Sequence, residues 1–143
     1  MYGTVAGVAA LSSLWTENGQ FLDDAVYVEG TKPSHSQVED WLVEITATLD
    51  LCLEDEGFIT PVTVADVVVI LGSKCQAIAK DMCDFSHGAG RFFSKQSIDS
   101  GQSPMMTIEN ELREWVKQPA VGFENMGVER RDTGRNVAYF DVL

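Results

Sequence analysis

The fold is decided by the stretch SHSQVEDWLVEITATLDLCLEDEGF at residues 34–58. Within it, apolar residues recur every three or four positions, as expected for one face of a helix. They are Val38, Trp41, Leu42, Ile45, Leu49, Cys52 and Leu53. We therefore predict a helix over residues 37–56.

Both ends of this stretch carry helix boundary signals. Gly57 stands where a left-handed residue commonly ends a helix, and Phe58 can then pack back on Leu53. At the other end, a capping box is available from one of two pairs, either Ser34 with Gln37 or Ser36 with Glu39.

A second helix is predicted over residues 64–86, after Pro61 and Thr63. The run of apolar residues at 67–71 resembles a buried strand, but the regular spacing on either side of it favours a helix. Because the connection between the two helices is short, we expect them to be antiparallel neighbours. The predicted core face of the second helix consists of Val64, Val67, Val68, Leu71, Cys75, Ile78, Ala79, Met82 and Phe85.

Two shorter helices are predicted outside this pair, over residues 4–15 and 107–118. Residues 16–33 carry turn signals, and residues 26–28 among them are expected to form a brief extended piece. The apolar stripe of the first short helix is Val5, Val8, Leu11, Leu14 and Trp15. The stripe of the other is Ile108, Leu112, Trp115 and Val116.

These elements predict a mostly α fold, a small antiparallel helical bundle with a long loop and an extended C-terminal arm. The bundle domain is predicted over residues 1–118, and its long loop over residues 87–106. The arm is predicted over residues 119–143, where its last eight residues favour β structure. Either a strand from another subunit completes this segment, or it packs across its own helices.

The charge is strongly acidic and unevenly distributed, with a formal net value of −12. Residues 1–90 hold 14 acidic and 3 basic side chains, whereas residues 91–143 hold 8 acidic and 7 basic ones. Nucleic-acid binding through phosphates requires the opposite sign and is therefore disfavoured. An acidic surface can repel DNA as a channel wall, mimic DNA, or simply keep the protein soluble.

The three cysteines, Cys52, Cys75 and Cys83, include no C-x-x-C pair and are expected to be reduced core residues. No signal peptide and no membrane-spanning segment is predicted. With only two histidines in the chain, we predict no metal site and no cofactor.

No catalytic site is predicted, although three local patterns invite the question. Cys83 and His87 are spaced to meet on one helix turn, but a capping or packing role for His87 is favoured. The glycines at 88–90 follow a helix and not a strand, so they do not predict a phosphate loop. The acidic run 54–56 ends a helix, where carboxylates are electrostatically misplaced, and it could face a basic partner or metal or be solvated.

Candidate interface residues lie in the long loop and in the arm. Two adjacent aromatic residues in the loop cannot both face one core, so one of them is a candidate anchor on a partner. The arginines of the arm could meet an acidic neighbour or remain solvated. The candidates are Arg91, Phe92, Phe93, Arg130, Arg131, Arg135, Tyr139 and Phe140.

The pattern between Pro33 and Phe93 resembles the head–tail connector proteins of tailed bacteriophages, also called adaptor or head-completion proteins. The residues that carry the resemblance are Ser36-Gln37-Val38-Glu39-Asp40-Trp41-Leu42, Glu56-Gly57-Phe58, Pro61-Val62-Thr63 and Gly90-Arg91-Phe92-Phe93, with Trp115-Val116 and Gly122-Phe123 further on.

This resemblance implies a structural virion protein and not an enzyme. It implies a ring of identical copies, typically twelve, between the portal protein and a tail-side neck or tail-completion protein. DNA would pass through the ring without specific binding. No membrane would be among the partners of the protein. The protein would reside in the virion neck, and in the host cytoplasm during assembly. The alternative that the charge supports is an acidic inhibitor or DNA mimic that binds a basic host protein.

Overall fold

The structure is a computed structural model that describes residues 1–87 and 104–131, with side chains in the second range described from residue 107 on. These two ranges contain five α-helices and no β-strand beyond isolated bridges. The helices are α1 (Val5–Leu11), α2 (His35–Asp55), α3 (Ala65–Ser86), α4 (Pro104–Lys117) and α5 (Ala120–Asn125). The predicted mostly α bundle is confirmed.

Helix α2 begins and ends through the signals that its sequence carries. The Ser34 hydroxyl accepts a hydrogen bond from the Gln37 amide at 3.2 Å, so Ser34 is the N-cap. At the other end, the Phe58 amide donates to the Leu53 carbonyl at 3.0 Å. Gly57 has a φ of +92°, which completes a Schellman ending as predicted.

Helices α2 and α3 form the central pair, and their buried faces agree with the predicted periodicity. Tyr2 joins this pair because its amide donates to the Thr46 hydroxyl and its phenol donates to Asp50 at 2.6 Å. Its phenolic oxygen also accepts from the Val62 amide at 2.9 Å. The N-terminal residues are therefore fixed on α2 and on the connection to α3.

Helix α1 is shorter than the predicted 4–15, since it ends at Leu11 with Ser12 as its C-cap. Of its predicted stripe, Val8 is buried, whereas Leu11 and Leu14 are exposed. Gly7 lies directly against the side chain of Gln76 on α3, where a Cβ would overlap the carboxamide at 2.2 Å. The glycine thus allows close packing of α1 on α3.

Helices α4 and α5 complete the body. Helix α4 packs along α2 and buries its predicted apolar residues Ile108, Leu112 and Val116. Helix α5 was not predicted, because its residues were assigned to an extended arm. It buries Phe123, whose ring contacts that of Phe58 at a centroid distance of 6.2 Å.

The chain after α5 also packs on the bundle. The Ile59 amide donates to the Glu129 carbonyl at 2.9 Å, and the Arg131 amide donates to the Gly57 carbonyl at 2.6 Å. Packing on the bundle therefore continues to residue 131, beyond the predicted domain boundary at residue 118. The rest of the predicted arm, residues 132–143, lies outside the described residues. Residues 88–103 of the predicted loop at 87–106 also lie outside them, whereas residues 104–106 belong to helix α4.

Within residues 1–87 and 104–131, no helix has both the length and the apolar composition needed to cross a bilayer.

Candidate interaction surfaces

Two of the predicted interface residues, Arg130 and Arg131, lie in the described part of the chain. The other six, namely Arg91, Phe92, Phe93, Arg135, Tyr139 and Phe140, fall outside it.

Arg130 is engaged within its own chain. Its Nε donates to the Glu56 carbonyl at 2.8 Å, and one terminal nitrogen donates to the Glu124 carboxylate at 3.1 Å. The guanidinium lies over the Phe58 ring, 5.0 Å from the centroid. With its side chain only 25% exposed, Arg130 holds the bundle together and is not free for a partner.

Arg131 is exposed and projects from the same segment. Across residues 1–87 and 104–131 it is the one lysine or arginine without an ion pair. All other lysines and arginines there pair with carboxylates, namely Lys32 with Glu29, Lys74 with Glu111, Lys80 with Asp84, Arg113 with Asp55 and Glu109, Lys117 with Glu114, and Arg130 with Glu56 and Glu124.

The acidic end of α2 is neutralised by contacts from later elements. Asp55 pairs with Arg113 of α4, and Glu56 lies 3.7 Å from Arg130. Glu54 accepts a hydrogen bond from the hydroxyl of Thr60. The electrostatic misfit seen in the sequence is therefore balanced inside the fold.

Excess negative charge remains on the surface. The described residues carry 19 acidic and 7 basic side chains, a difference of −12. Carboxylates without a hydrogen-bond or ion-pair partner in this part of the chain are Glu17, Asp40, Glu44, Asp66 and Glu129. Like charges of this number disfavour close approach of DNA or of a second acidic body unless salt screens them.

The cysteines occupy the core. Burial raises the pKa values of the Cys75 and Cys83 thiols to about 12, and it also raises that of Cys52. The His87 ring stacks on Trp15 at a centroid distance of 3.8 Å, and its Nε2 lies 2.7 Å from the Lys32 carbonyl oxygen. His87 thus has the packing role that the sequence favoured.

Within the described ranges, no group of three or more histidine, cysteine, aspartate or glutamate side chains is arranged so that it could hold a metal ion.

A projecting apolar turn lies between α1 and α2, at Ala25-Val26-Tyr27-Val28, and is called here the 25–28 turn. Its end residues exchange backbone hydrogen bonds, from the Ala25 amide to the Val28 carbonyl at 2.8 Å and back at 3.0 Å. Val26, Tyr27 and Val28 are 80%, 102% and 58% exposed. These residues form a tight turn and not the extended piece that was predicted.

Tyr27 adopts a left-handed conformation, with a φ of 63°. This position of a four-residue turn is one where glycine or asparagine is normally found. A bulky side chain there costs roughly 1–3 kcal/mol and is retained only when something compensates for it. The turn therefore combines backbone strain with a fully exposed aromatic side chain.

Hydrogen bonds at its base hold the 25–28 turn in place. The Asp23 carboxylate accepts from the Ser36 amide and from the Ser36 hydroxyl, both at 2.8 Å. Asp24 accepts from the Gly30 amide at 2.6 Å. The turn is thereby tied to the first turn of α2 and projects as a fixed feature.

A cavity of about 380 Å³ lies beside α1 and is called here the α1 cavity. Its walls come from α1, from a second tight turn at Glu17-Asn18-Gly19-Gln20, and from the start of α2. The lining residues are Val5, Ala6, Ala9, Gly19, Gln20, Phe21 and His35.

Sequence reasoning missed both the 25–28 turn and the α1 cavity as candidate sites. One signal was available for the turn, since the apolar residues Val26-Tyr27-Val28 stand between the acidic pair Asp23-Asp24 and the acidic residue Glu29. No signal was available for the cavity, because its walls come from segments up to 30 residues apart, from Val5 to His35.

Comparison with family models, with curated proteins and with solved structures gives no match for this chain.

Proposed function

We propose that this chain is a structural virion protein, a head–tail connector or adaptor of a tailed bacteriophage. In this proposal, identical copies form a ring between the portal protein and a tail-side neck or tail-completion protein. DNA passes through the ring without specific binding. The protein occupies the virion neck after passing through the host cytoplasm during assembly.

The observation that carries the proposal is the fixed apolar 25–28 turn. An exposed tyrosine between two exposed valines gives a compact anchor, and aromatic anchors dominate the binding energy of many protein interfaces. Its backbone strain persists without any compensating contact to the Tyr27 side chain, which is fully exposed. A role in assembly accounts for such a feature, since the compensation then comes from a partner.

The charge distribution supports the DNA passage. The described residues carry 19 acidic and 7 basic side chains, so the surface offers few cations that could bind a phosphate backbone. A wall of this sign lets DNA move past without adhering to it. Since Arg130 is engaged internally, the one described cation left for an outside contact is Arg131.

The test is an affinity pull-down of the tagged protein from its native lysate, with partners identified by mass spectrometry. Near-stoichiometric recovery of portal and tail proteins is expected. The variant Tyr27→Gly should lose part of this recovery, whereas Asn18→Gly should retain it. Asn18→Gly is the matched control because, among the residues that the structure describes, Asn18 is the other non-glycine residue at positive φ, in the polar 17–20 turn.

An acidic inhibitor or DNA mimic is the second candidate, and the unpartnered carboxylates favour it. Glu17, Asp40, Glu44, Asp66 and Glu129 could face a basic host protein. Recovery of a basic host protein without any virion protein would contradict the connector proposal. Binding of that kind would weaken as salt is raised.

A further inference from the structure

The outward side of α2 combines an apolar row with carboxylates, and it is called here the outer face of α2. We propose that it is a docking surface for a basic amphipathic helix of another protein. Its residues are not those of the 25–28 turn, so this assignment does not rest on the proposed function. The outer face consists of Asp40, Val43, Glu44, Ala47, Leu51 and Glu54, all of them exposed.

The apolar part of the outer face is a single row along the helix. Val43, Ala47 and Leu51 follow one another at intervals of four positions, which places them one above the other on the same side. Val43 and Leu51 are 53% and 60% exposed. At 1.5 Å per residue, the face is about 21 Å long, so it can contact about four turns of a partner helix.

The charged part of the outer face selects a basic partner. Helix α2 contains six carboxylate side chains and no lysine or arginine. The carboxylates of Asp40 and Glu44 have no partner among the residues that the structure describes, and that of Glu54 is bonded only to the Thr60 hydroxyl. These carboxylates along an apolar row are complementary to lysines or arginines that flank an apolar stripe.

The backbone of α2 decides which secondary structure the partner has. Within a helix the amide and carbonyl groups bond to each other, so this face offers no free edge to an extended strand. A row of side chains spaced four positions apart is instead the kind of ridge that packs into the groove of another helix. Ala47 in the middle of the row is small, which allows the partner helix to approach closely.

The same charges disfavour a second copy of this chain as the occupant. Another copy presents six carboxylates on its own α2, and its described residues carry 19 acidic and 7 basic side chains. Like charges of this number repel each other. A basic segment is attracted instead, and its binding weakens as salt is raised.

The first test uses a model peptide of about 15 residues, a length that matches the outer face. Leucines at helical spacing form one stripe of this peptide, lysines occupy the other positions, and a second peptide has the same composition in scrambled order. In fluorescence anisotropy of the labelled peptides, the full chain should bind the amphipathic peptide at least about tenfold more tightly than the scrambled one. Equal binding of both peptides would overturn the inference, because charge alone would then account for it.

A matched pair of leucine variants locates the apolar contact. Leu51→Gln should abolish the preference for the amphipathic peptide, whereas Leu11→Gln, at a leucine of α1 that is 50% exposed, should keep it. A preference that survives Leu51→Gln would place the peptide on another surface and contradict the role of the outer face.

A matched pair of double variants locates the charged contact. Asp40→Asn with Glu44→Gln should weaken binding of the amphipathic peptide at least about threefold more than Glu17→Gln with Asp66→Asn. Both double variants remove two exposed carboxylates without a partner in the described part of the chain. Equal effects would show that only the net charge matters, which would contradict docking at the outer face.

The natural partner can be captured by photo-crosslinking in the native lysate. A benzoylphenylalanine placed at Ala47, in the middle of the outer face, is compared with one placed at Ser73, an exposed small residue of α3. Position 47 should capture a segment that has lysines or arginines and apolar residues at helical spacing, as read by mass spectrometry of the crosslinked peptide. An acidic segment, a second copy of this chain, or no product beyond that of position 73 would overturn the inference.

These measurements separate the docking surface from the proposed function. If virion proteins are recovered in the pull-down but position 47 captures nothing more than position 73, the connector proposal stands and the docking surface is wrong. If position 47 captures a basic amphipathic segment but no virion protein is recovered, the docking surface stands and the connector proposal is wrong.

Discussion

The guanidinium of Arg130 lies 5.0 Å from the centroid of the Phe58 ring. Phe58 is the last residue of the Schellman ending of α2, and Arg130 comes 72 positions later in the chain. Because the same arginine also contacts Glu56 and Glu124, it connects the end of α2, helix α5 and the segment after it. The folded body therefore depends on residues that appeared in the sequence to belong to an arm.

Replacing Arg130 should destabilise the protein. Arg130→Ala removes hydrogen bonds to Glu56 and Glu124 and the contact with Phe58, and it should lower the free energy of unfolding by roughly 1–3 kcal/mol. The neighbouring Arg131→Ala should change it by less than about 0.5 kcal/mol, since that side chain is exposed and unpaired. Chemical denaturation followed by circular dichroism measures both, and equal effects would argue against the role assigned to Arg130.

Two glycines should respond to alanine in opposite directions. Gly57→Ala should destabilise the protein by about 1–2 kcal/mol, because φ is +92° and the added Cβ would lie 3.3 Å from the Arg131 carbonyl oxygen. Gly122→Ala in α5 should stabilise it by roughly 0.5–1 kcal/mol, because its Cβ meets nothing within 4 Å. Thermal unfolding midpoints should shift down for the first variant and up for the second.

The attachment of the 25–28 turn should be sensitive to acid. Hydrogen bonds from the Ser36 amide and hydroxyl lower the pKa of the Asp23 carboxyl in the folded protein. A lowered folded-state pKa stabilises the fold above the unfolded value of about 3.9, and this stabilisation is lost as pH falls through the folded pKa. Asp23→Asn should therefore reduce the dependence of the unfolding midpoint on pH below about pH 4.

The matched control for this experiment is Asp40→Asn, which removes the same charge from an exposed carboxylate without a partner. It should leave the acid dependence like that of the wild type. If the unfolding midpoint depended on pH in the same way for Asp23→Asn and Asp40→Asn, the hydrogen bonds from Ser36 would not be what keeps Asp23 ionised.

The native thiols should be unreactive. Because burial raises the pKa values of Cys75 and Cys83 to about 12 and also raises that of Cys52, few thiolates form at about pH 8. Iodoacetamide should modify none of the three in the folded protein and all three in denaturant, as counted by mass spectrometry. Rapid modification of the folded chain would contradict the core positions of these residues.

The long helices were predictable from sequence because their signals are local. The cap at Ser34, the periodic apolar face and Gly57 all lie within the same 25-residue stretch, 34–58. The same holds for α3 and for most of α4. Each of these signals acts through neighbours three or four positions away, so no knowledge of the rest of the chain was needed.

Helix α5 and the role of Arg130 were not predictable in this way. Pro119 signals a helix end, and Gly122 weakens the helix that follows it. What stabilises α5 is the contact of Phe123 with Phe58, across 65 positions of chain. The left-handed conformation of Tyr27 likewise has no local signal, because tyrosine is not a residue that favours positive φ.

The stacked pair formed by Trp15 and His87 gives the molecule an intrinsic optical probe. The two rings are nearly parallel, with an interplanar angle of 5°, so the environment of the Trp15 indole depends on the position of His87. His87 immediately precedes the segment that carries the predicted interface residues Arg91, Phe92 and Phe93. In a variant with Trp41 and Trp115 replaced by phenylalanine, the emission comes from Trp15. Without any attached dye, this emission would report whether a partner that binds the segment after His87 separates the imidazole from the indole.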